Sequence, residues 1–386
     1  MLLWPAFTPG NYLFDLKPTI KSIHGGVAQL VEQRTHKPRV GGSIPPSATL
    51  PDPSALLTSF ERHILSRNLI KPRQKIFIGC SGGPDSVALF HLLRLLPKKK
   101  WNLRLGLIHL NHGMRGKTAL RDEKFVKQLA RQFGVSFVGS KESVKTYAKV
   151  HRLSPEEAAR TLRYRFFGEA AREHKCRSLA LAHTLNDQAE TVLMRMIQGT
   201  GSKGLLGIRE TMKLGSLKVI RPLLFCRKTE ILFFLEKNRF KYCTDETNKK
   251  TVYLRNRLRL ELLPALEKDY NPRVQEALAR IPAIIQEETD GLEELVDHYA
   301  GKVLRSKTKD RITLDTVSFR ELPAALQFRI LNRLLANIDA RSGINYDNWK
   351  NLKQELLRNS FRYSLKKNID ITISSSRISI YKRKTR

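Results

Sequence analysis

Six residues, Ser81, Gly82, Gly83, Pro84, Asp85 and Ser86, put two adjacent glycines, a proline, a carboxylate and two hydroxyls into one short turn. Adjacent glycines let a backbone approach an anion closely. A helix starting at Pro84 would aim its first amides and the positive end of its dipole at that anion. The chemistry such a turn supports is phosphate binding. A Walker loop is excluded, because it needs a wider glycine spacing closed by Lys and then Ser or Thr. Asp187 lies in a second turn, within the run from Ala182 to Thr191. Two carboxylates at strand-to-helix turns on one sheet edge, Asp85 and Asp187, can share a magnesium ion that also binds phosphate oxygens.

The string SGGPDS resembles the pyrophosphate loop of the N-type ATP pyrophosphatases, which split ATP into AMP and pyrophosphate while adenylating an acceptor oxygen. Further constellations can be weighed beside it. His109, His112 and Arg115 fall in a glycine-containing loop after the second apolar run. They suit either an ordinary polar strand end or a site in which the histidines shape an adenosine pocket and Arg115 stabilises charge on the α-phosphate. Glu157, Arg160 and Tyr164 share a helix face with Arg163 beside them, which also fits a plain surface ion pair. Glycines at 199, 201, 204 and 207 suit a loop that closes over a substrate or a plain surface loop. Arg255, Arg257 and Arg259, with Asn256, open an apolar helix; they suit phosphate contacts or a solvated face.

The elements that must position these residues alternate strand and helix from Ser59 onward, which predicts a parallel sheet wrapped by helices, an α/β fold. Strands are expected at Lys75 to Cys80, Leu103 to Leu110, Ser136 to Gly139, Ser178 to His183 and Val219 to Leu224. Helices are expected at Val87 to Leu96, Leu120 to Phe133, Pro155 to His174, Asp187 to Ile197 and Lys228 to Asn238. Ser154, Pro155 and Glu157 form a strong start signal with a capping box. Past Tyr270 the chain reads as mainly helical, with helices at Pro272 to Val303, Ala324 to Ile338 and Asn345 to Arg358, closed by a hairpin of Ile369 to Ser374 and Arg377 to Tyr381. Three segments are expected: an extension over 1–55 outside the folded core, an ATP-binding domain over 56–268 and a basic helical domain over 269–386.

The chain's 386 residues carry 70 Lys and Arg against 36 Asp and Glu, a net charge of +34, which implies a polyanionic partner. Residues 301–386 hold 20 basic and 7 acidic side chains, a pattern that a solvated basic surface would also produce. No apolar run is long enough for a membrane span and no leader is recognisable, so a cytoplasmic protein without membrane attachment is expected. Cys80, Cys176, Cys226 and Cys243 form no CxxC pair and read as buried thiols. The stretch from Gly25 to Thr49 resembles translation through a tRNA gene, so the true start is expected between about residues 50 and 60.

Together, SGGPDS, HLNHGMRG, EEAARTLRYRFF, AHTLNDQAET, GLLGI, RPLL, DETN and RNRLRLELLPAL stand in the order and spacing of the tRNA(Ile)-lysidine synthases, a resemblance covering residues 70–268. One departure is visible: the family usually has two histidines where this chain has His183 and Thr184. The resemblance implies ATP as co-substrate with Mg2+, and as partners free L-lysine and an isoleucine tRNA with a CAU anticodon; a homodimer is left open. It implies two steps at the wobble cytidine: adenylation of the C2 oxygen with loss of pyrophosphate, then attack of the lysine amine on C2 with loss of AMP. ATP binding then falls to Ser81, Gly82, Gly83, Pro84, Asp85, Ser86, His109 and His112, catalysis to Asp85, Arg115 and Asp187, and the metal to Asp85 and Asp187. The tRNA or lysine side falls to Glu157, Arg160, Arg163, His183, Glu190, Asn248, Arg255, Asn256 and Arg259. Which acidic side chain holds the lysine is left open.

Three rivals are weaker. A tRNA thiolase of related chemistry typically carries reactive cysteines, often as CxxC pairs. A small-molecule ligase of the asparagine or GMP synthetase kind would usually carry a glutamine-hydrolysing domain and has no use for +34 charge. A non-catalytic RNA-binding protein on a retired nucleotide fold would tolerate loss of Asp85 or Asp187, and both are present.

Overall fold

The computed structural model describes residues 53–111, 113, 117–244, 254–338, 343–358, 360–365 and 369–383. His112, Arg115 and Asn248, the expected extension up to residue 52 and the last three residues lie outside the described residues.

In chain order, the first region runs α1 (Pro53–Ser66), β1 (Lys75–Gly79), α2 (Pro84–Leu95), β2 (Arg104–Asn111), α3 (Lys117–Gln132), β3 (Ser136–Lys141), α4 (Val144–His151), α5 (Pro155–Glu173), β4 (Ser178–Ala180) and α6 (Leu185–Ile197). It continues through α7 (Ser202–Leu205), β5 (Thr211–Leu214), β6 (Leu217–Ile220), α8 (Lys228–Lys237), α9 (Leu254–Arg257), a π-helical turn at Leu258–Leu262 and α10 (Leu263–Asp269). The sheet order is β3-β2-β1-β4-β6-β5, parallel except for β5, which pairs antiparallel with β6.

Strand alternation explains why β1 reads as an unbroken apolar run. Ile76 and Ile78 face a core shared with α1, α2 and α8, whereas Phe77 faces the opposite core with α5. Each such buried side chain contributes roughly 1.5–3 kcal/mol of transfer free energy. Helices on both faces leave the carboxyl ends of the strands open, where ligands bind in α/β sheets.

Strand boundaries differ from expectation by more than two residues at two places. The expected strand from Ser178 to His183 ends at Ala180, and Thr184 caps α6. The expected strand from Val219 to Leu224 is displaced to Leu217–Ile220, because a tight turn with Gly215 at φ +58° pairs it with β5.

The second region begins with α11 (Val274–Val303), followed by β7 (Leu304–Lys307), β8 (Arg311–Asp315), α12 (Thr316–Arg320), α13 (Ala324–Ile338), α14 (Tyr346–Glu355), β9 (Ser360–Leu365), β10 (Ile369–Ser374) and β11 (Arg377–Lys382). The expected hairpin, β10 and β11, is present, but it forms the centre of a five-stranded antiparallel sheet of order β7-β8-β11-β10-β9. Ile371, Ile373, Ile378 and Ile380 from the hairpin, Ile312 and Leu314 from β8 and four residues of α13, Ile330, Leu331, Leu334 and Leu335, build one core. Helix α11 bridges both regions. Leu278 packs with Ala189 and Val192 of α6, while Val296 and Val303 enter the second core.

Candidate active site

The glycine turn connects β1 to α2 as the residue types require. Gly82 sits at φ +87°, a conformation L side chains rarely adopt. A Cβ there would meet Cys243 and Phe125 at ordinary contact, so backbone conformation rather than space selects glycine. The Ser86 hydroxyl donates to the Gly83 carbonyl at 3.0 Å and accepts from the Ser81 amide at 3.2 Å, which holds the turn closed. Helix α2 has Pro84 at its start and no side chain capping its N-terminus. Its first amides are therefore available to an anion.

Two carboxylates flank this turn. Asp85 on α2 keeps one oxygen, Oδ1, buried without a hydrogen-bond partner, and its Oδ2 lies 3.6 Å from Lys228 Nζ. Burial raises its pKa, Lys228 opposes that rise, and Asp187 adds to it. Asp187 is the third residue of α6, where its Oδ2 accepts from the Thr184 amide at 2.9 Å and the Thr184 hydroxyl at 3.0 Å. Its Oδ1 accepts from Arg255 at 3.0 Å, and Arg259 approaches to 3.6 Å. Burial works to raise the Asp187 pKa, but Arg255, His183 and the Thr184 amide outweigh it and the carboxyl is held below its ordinary value.

A recess of about 110 Å³ lies among Asp85, Asp187, Glu190, Lys228 and Arg259. The unpartnered Asp85 oxygen and this recess fit a hard cation that is held by one or two carboxylates and completed by phosphates and water. Among the described residues no cluster of three or more His, Cys, Asp or Glu is arranged for a protein-only metal centre.

A larger cavity of about 480 Å³ joins the glycine turn to the second carboxylate, lined by Ser81, Asp85, Ser86, His109, Asn111, Arg163, His183 and Asp187 among others. His109 is buried, and its Nδ1 donates to the Cys80 carbonyl at 2.8 Å, which leaves Nε2 as the ring's other polar atom. His183 is half-buried, with its Nδ1 atom buried and unpartnered, and loss of solvation lowers its pKa to about 4, so the ring is neutral at physiological pH.

The residues expected on the substrate side separate into groups. Arg163 lines the cavity, and Tyr164 accepts from Arg221 at 3.1 Å beside it. Glu157 and Arg160 are exposed on the outer side of α5: Glu157 closes the capping box with Ser154, and Arg160 lies 5.1 Å from the Tyr164 ring centre. Glu190 is 2% exposed and receives Arg255 Nε at 2.8 Å and Arg259 Nε at 2.5 Å, so it cannot meet a macromolecule directly. Arg255 and Arg259 turn inward to these carboxylates. Asn256 lies between them on α9. The glycine segment expected to close over substrate is tied to α6: Arg195 donates to the Gly204 carbonyl and, at 3.2 Å, to that of Gly207, and Gln188 accepts from the Ile208 amide at 2.6 Å. Of the four thiols, Cys243 is partly exposed and the other three are buried.

Lys228 and Asp122 also line the site and fall in none of the quoted motifs. Asn111 ends β2, donating to Glu123 at 3.0 Å and accepting from the Gly113 amide at 3.1 Å. Lys228 starts α8, and its amide donates to Asn186 at 2.8 Å, next to Asp187 in sequence. Only the contact between distant turns identifies it.

Residues 56–266 match the PP-loop domain. The tRNA(Ile)-lysidine synthase of Clostridioides difficile (strain 630) is 36% identical over 283 residues, 73% of this chain and 60% of that protein. The tRNA(Ile)-lysidine synthase of Bacillus subtilis (strain 168) is 33% identical over 286 residues, with the same two shares. The chain thus spans about 60% of the length of these curated relatives. Among solved structures, the U34-tRNA thiolase NcsA of Methanococcus maripaludis, determined with its [4Fe-4S] cluster, superposes with a TM-score of 0.50 at 24% identity, covering 61% of this chain and 80% of that one. That likeness concerns the fold.

Proposed function

The chain belongs to the PP-loop domain family through residues 56–266, and on that premise we propose that it is an ATP-dependent tRNA(Ile)-lysidine synthase. The observation that carries the reading is the uncapped, glycine-led N-terminus of α2, which carries Asp85 and shares one cavity with Asp187. The names of the relatives supply the acceptor.

The amides at the start of α2 receive the pyrophosphate portion of ATP, and Ser86 keeps the turn in the conformation that points them there. Asp85 and Asp187 hold Mg2+, which when bound neutralises phosphate charge. The C2 oxygen of the wobble cytidine attacks the α-phosphorus, the bond to the β-phosphate oxygen breaks and pyrophosphate leaves. The neutral amine of lysine then forms a bond to C2, the C2–oxygen bond breaks with AMP leaving, and the amine proton is lost. Positioning and exclusion of water supply most of this second step. Arg163 and the neutral His183 form the cavity wall against which the acceptor is oriented. Arg115, outside the described residues, is assigned to the charge on the α-phosphate, and His109 and His112 to the adenosine.

The basic region over 269–386 is proposed as the part that grips the tRNA backbone, giving salt-dependent affinity, while the domain over 56–268 reads the anticodon loop through splayed bases. The test is AMP release that requires both lysine and an isoleucine tRNA with a CAU anticodon.

A further inference from the structure

We propose that Arg255 and Asp187 form a latch: without metal, the Arg255 guanidinium occupies Asp187 in place of a divalent cation, and metal binding displaces it while Glu190 keeps hold of it. This rests on the metal placement proposed above.

The two Asp187 oxygens have different duties. Oδ2 is committed to the Thr184 amide and hydroxyl in the cap of α6, so it is fixed by backbone. Oδ1 is the oxygen left for a ligand, and Arg255 Nη2 takes it at 3.0 Å. A magnesium ion bonding at about 2.0–2.1 Å needs the same lone pairs, and its charge repels a guanidinium held against them. Metal and Arg255 therefore compete for one atom.

The geometry lets Arg255 leave without coming loose. Its Nε donates separately to Glu190 Oε2 at 2.8 Å, so Nη2 can swing away while Nε stays as a pivot. Arg259 differs, with two bonds to Glu190 at 2.5 and 2.9 Å and only an approach to Asp187. Glu190 is 2% exposed and Arg255 about a third, so the anchor is fixed and the arm has room. The π-helical turn at Leu258–Leu262 lies just beyond Arg255 and contains Arg259; such turns are often found at functional sites. Asp85, Asp187 and Glu190 face Lys228, Arg255 and Arg259 in near-balance, so an arriving cation is accommodated by releasing one, which is then free for the phosphates that arrive with it.

The test is Mn2+ titration of the full chain without nucleotide, with free Mn2+ read by electron paramagnetic resonance. Competition is reciprocal, so Arg255→Gln is expected to bind Mn2+ about tenfold more tightly than wild type, and Arg255→Lys, which keeps the charge but loses the fork, about threefold. Arg257→Gln removes an equal charge from an exposed side chain paired with Glu261 and is expected to stay within about twofold. Arg255→Gln no tighter than Arg257→Gln overturns the latch; if Arg255→Gln fails to fold, Arg255→Lys against Arg257→Gln decides by the same comparison. Asp85→Asn in the Arg255→Lys background separates the two readings. Loss of Mn2+ affinity there, with no gain from the Arg255 variants, overturns the latch alone, and no loss overturns the metal placement as well.

Discussion

Glu190→Gln is expected to destabilise the fold, because Glu190 is a buried counter-ion rather than a contact for RNA. The carboxylate is 2% exposed and receives three donors, Arg255 Nε at 2.8 Å and Arg259 Nε and Nη2 at 2.5 and 2.9 Å. A glutamine offers one accepting oxygen and turns an NH2 toward a guanidinium, donor against donor. Removing one partner of a buried ion pair costs about 3–5 kcal/mol. The arginine side chains are 34% and 31% exposed, so solvent screens part of the loss and about 2–3 kcal/mol is expected here. At about 2–4 °C per kcal/mol for a domain of about 200 residues, the size of the ATP-binding domain over 56–268, Tm falls by about 4–12 °C in a thermal melt. Glu157→Gln is the control, since Glu157 is exposed and glutamine still closes a capping box. Glu190→Gln melting within about 1 °C of wild type would refute the burial argument and return Glu190 to the substrate side.

Asp85→Ala should abolish AMP formation while tRNA affinity, measured by filter binding, stays within severalfold; retained turnover contradicts the placement of the metal. Gly82→Ala strains the turn at φ +87° by about 1–2 kcal/mol, so ATP affinity by calorimetry should fall about tenfold and Tm by up to about 8 °C. His91 is buried and stacked on Phe240 at 3.6 Å, and burial followed by Arg94 lowers its pKa to about 4. A depressed folded-state value means its contribution is fully present above about pH 6.5 and is lost as pH falls toward 4, on the order of 3 kcal/mol in all. His91→Phe should flatten stability against pH across that window in urea melts, and an unchanged slope would show that His91 titrates normally.

The sheet and its site-bearing turns were legible because their signals are local. Glycine pairs, Pro84 and the Ser154 to Glu157 box each encode a turn or cap within a few residues, and β1 announces burial on both faces by its apolar run. The second sheet was read only as its hairpin. β9 does alternate, with Phe361, Tyr363 and Leu365 toward one face, and it precedes β10 by only a few residues, but β7 and β8 are short and rich in charge, and β8 pairs with the hairpin from far along the chain. The carboxylate partners were hidden for the same reason. Nothing near Arg255 shows that it will meet Asp187 68 residues away, so a face of arginines reads as surface until the fold turns it inward. Thr184 also acquires a definite duty, since it caps α6 and fixes Asp187 where the related family usually carries a second histidine.

The most direct measurement of the central claim is AMP release by the purified protein given ATP and lysine, comparing isoleucine tRNA bearing a CAU anticodon with methionine tRNA bearing the same anticodon, and omitting lysine in a parallel arm. The account predicts AMP release only with the isoleucine tRNA and lysine together. Equal release with both tRNAs, or none with either, would contradict it.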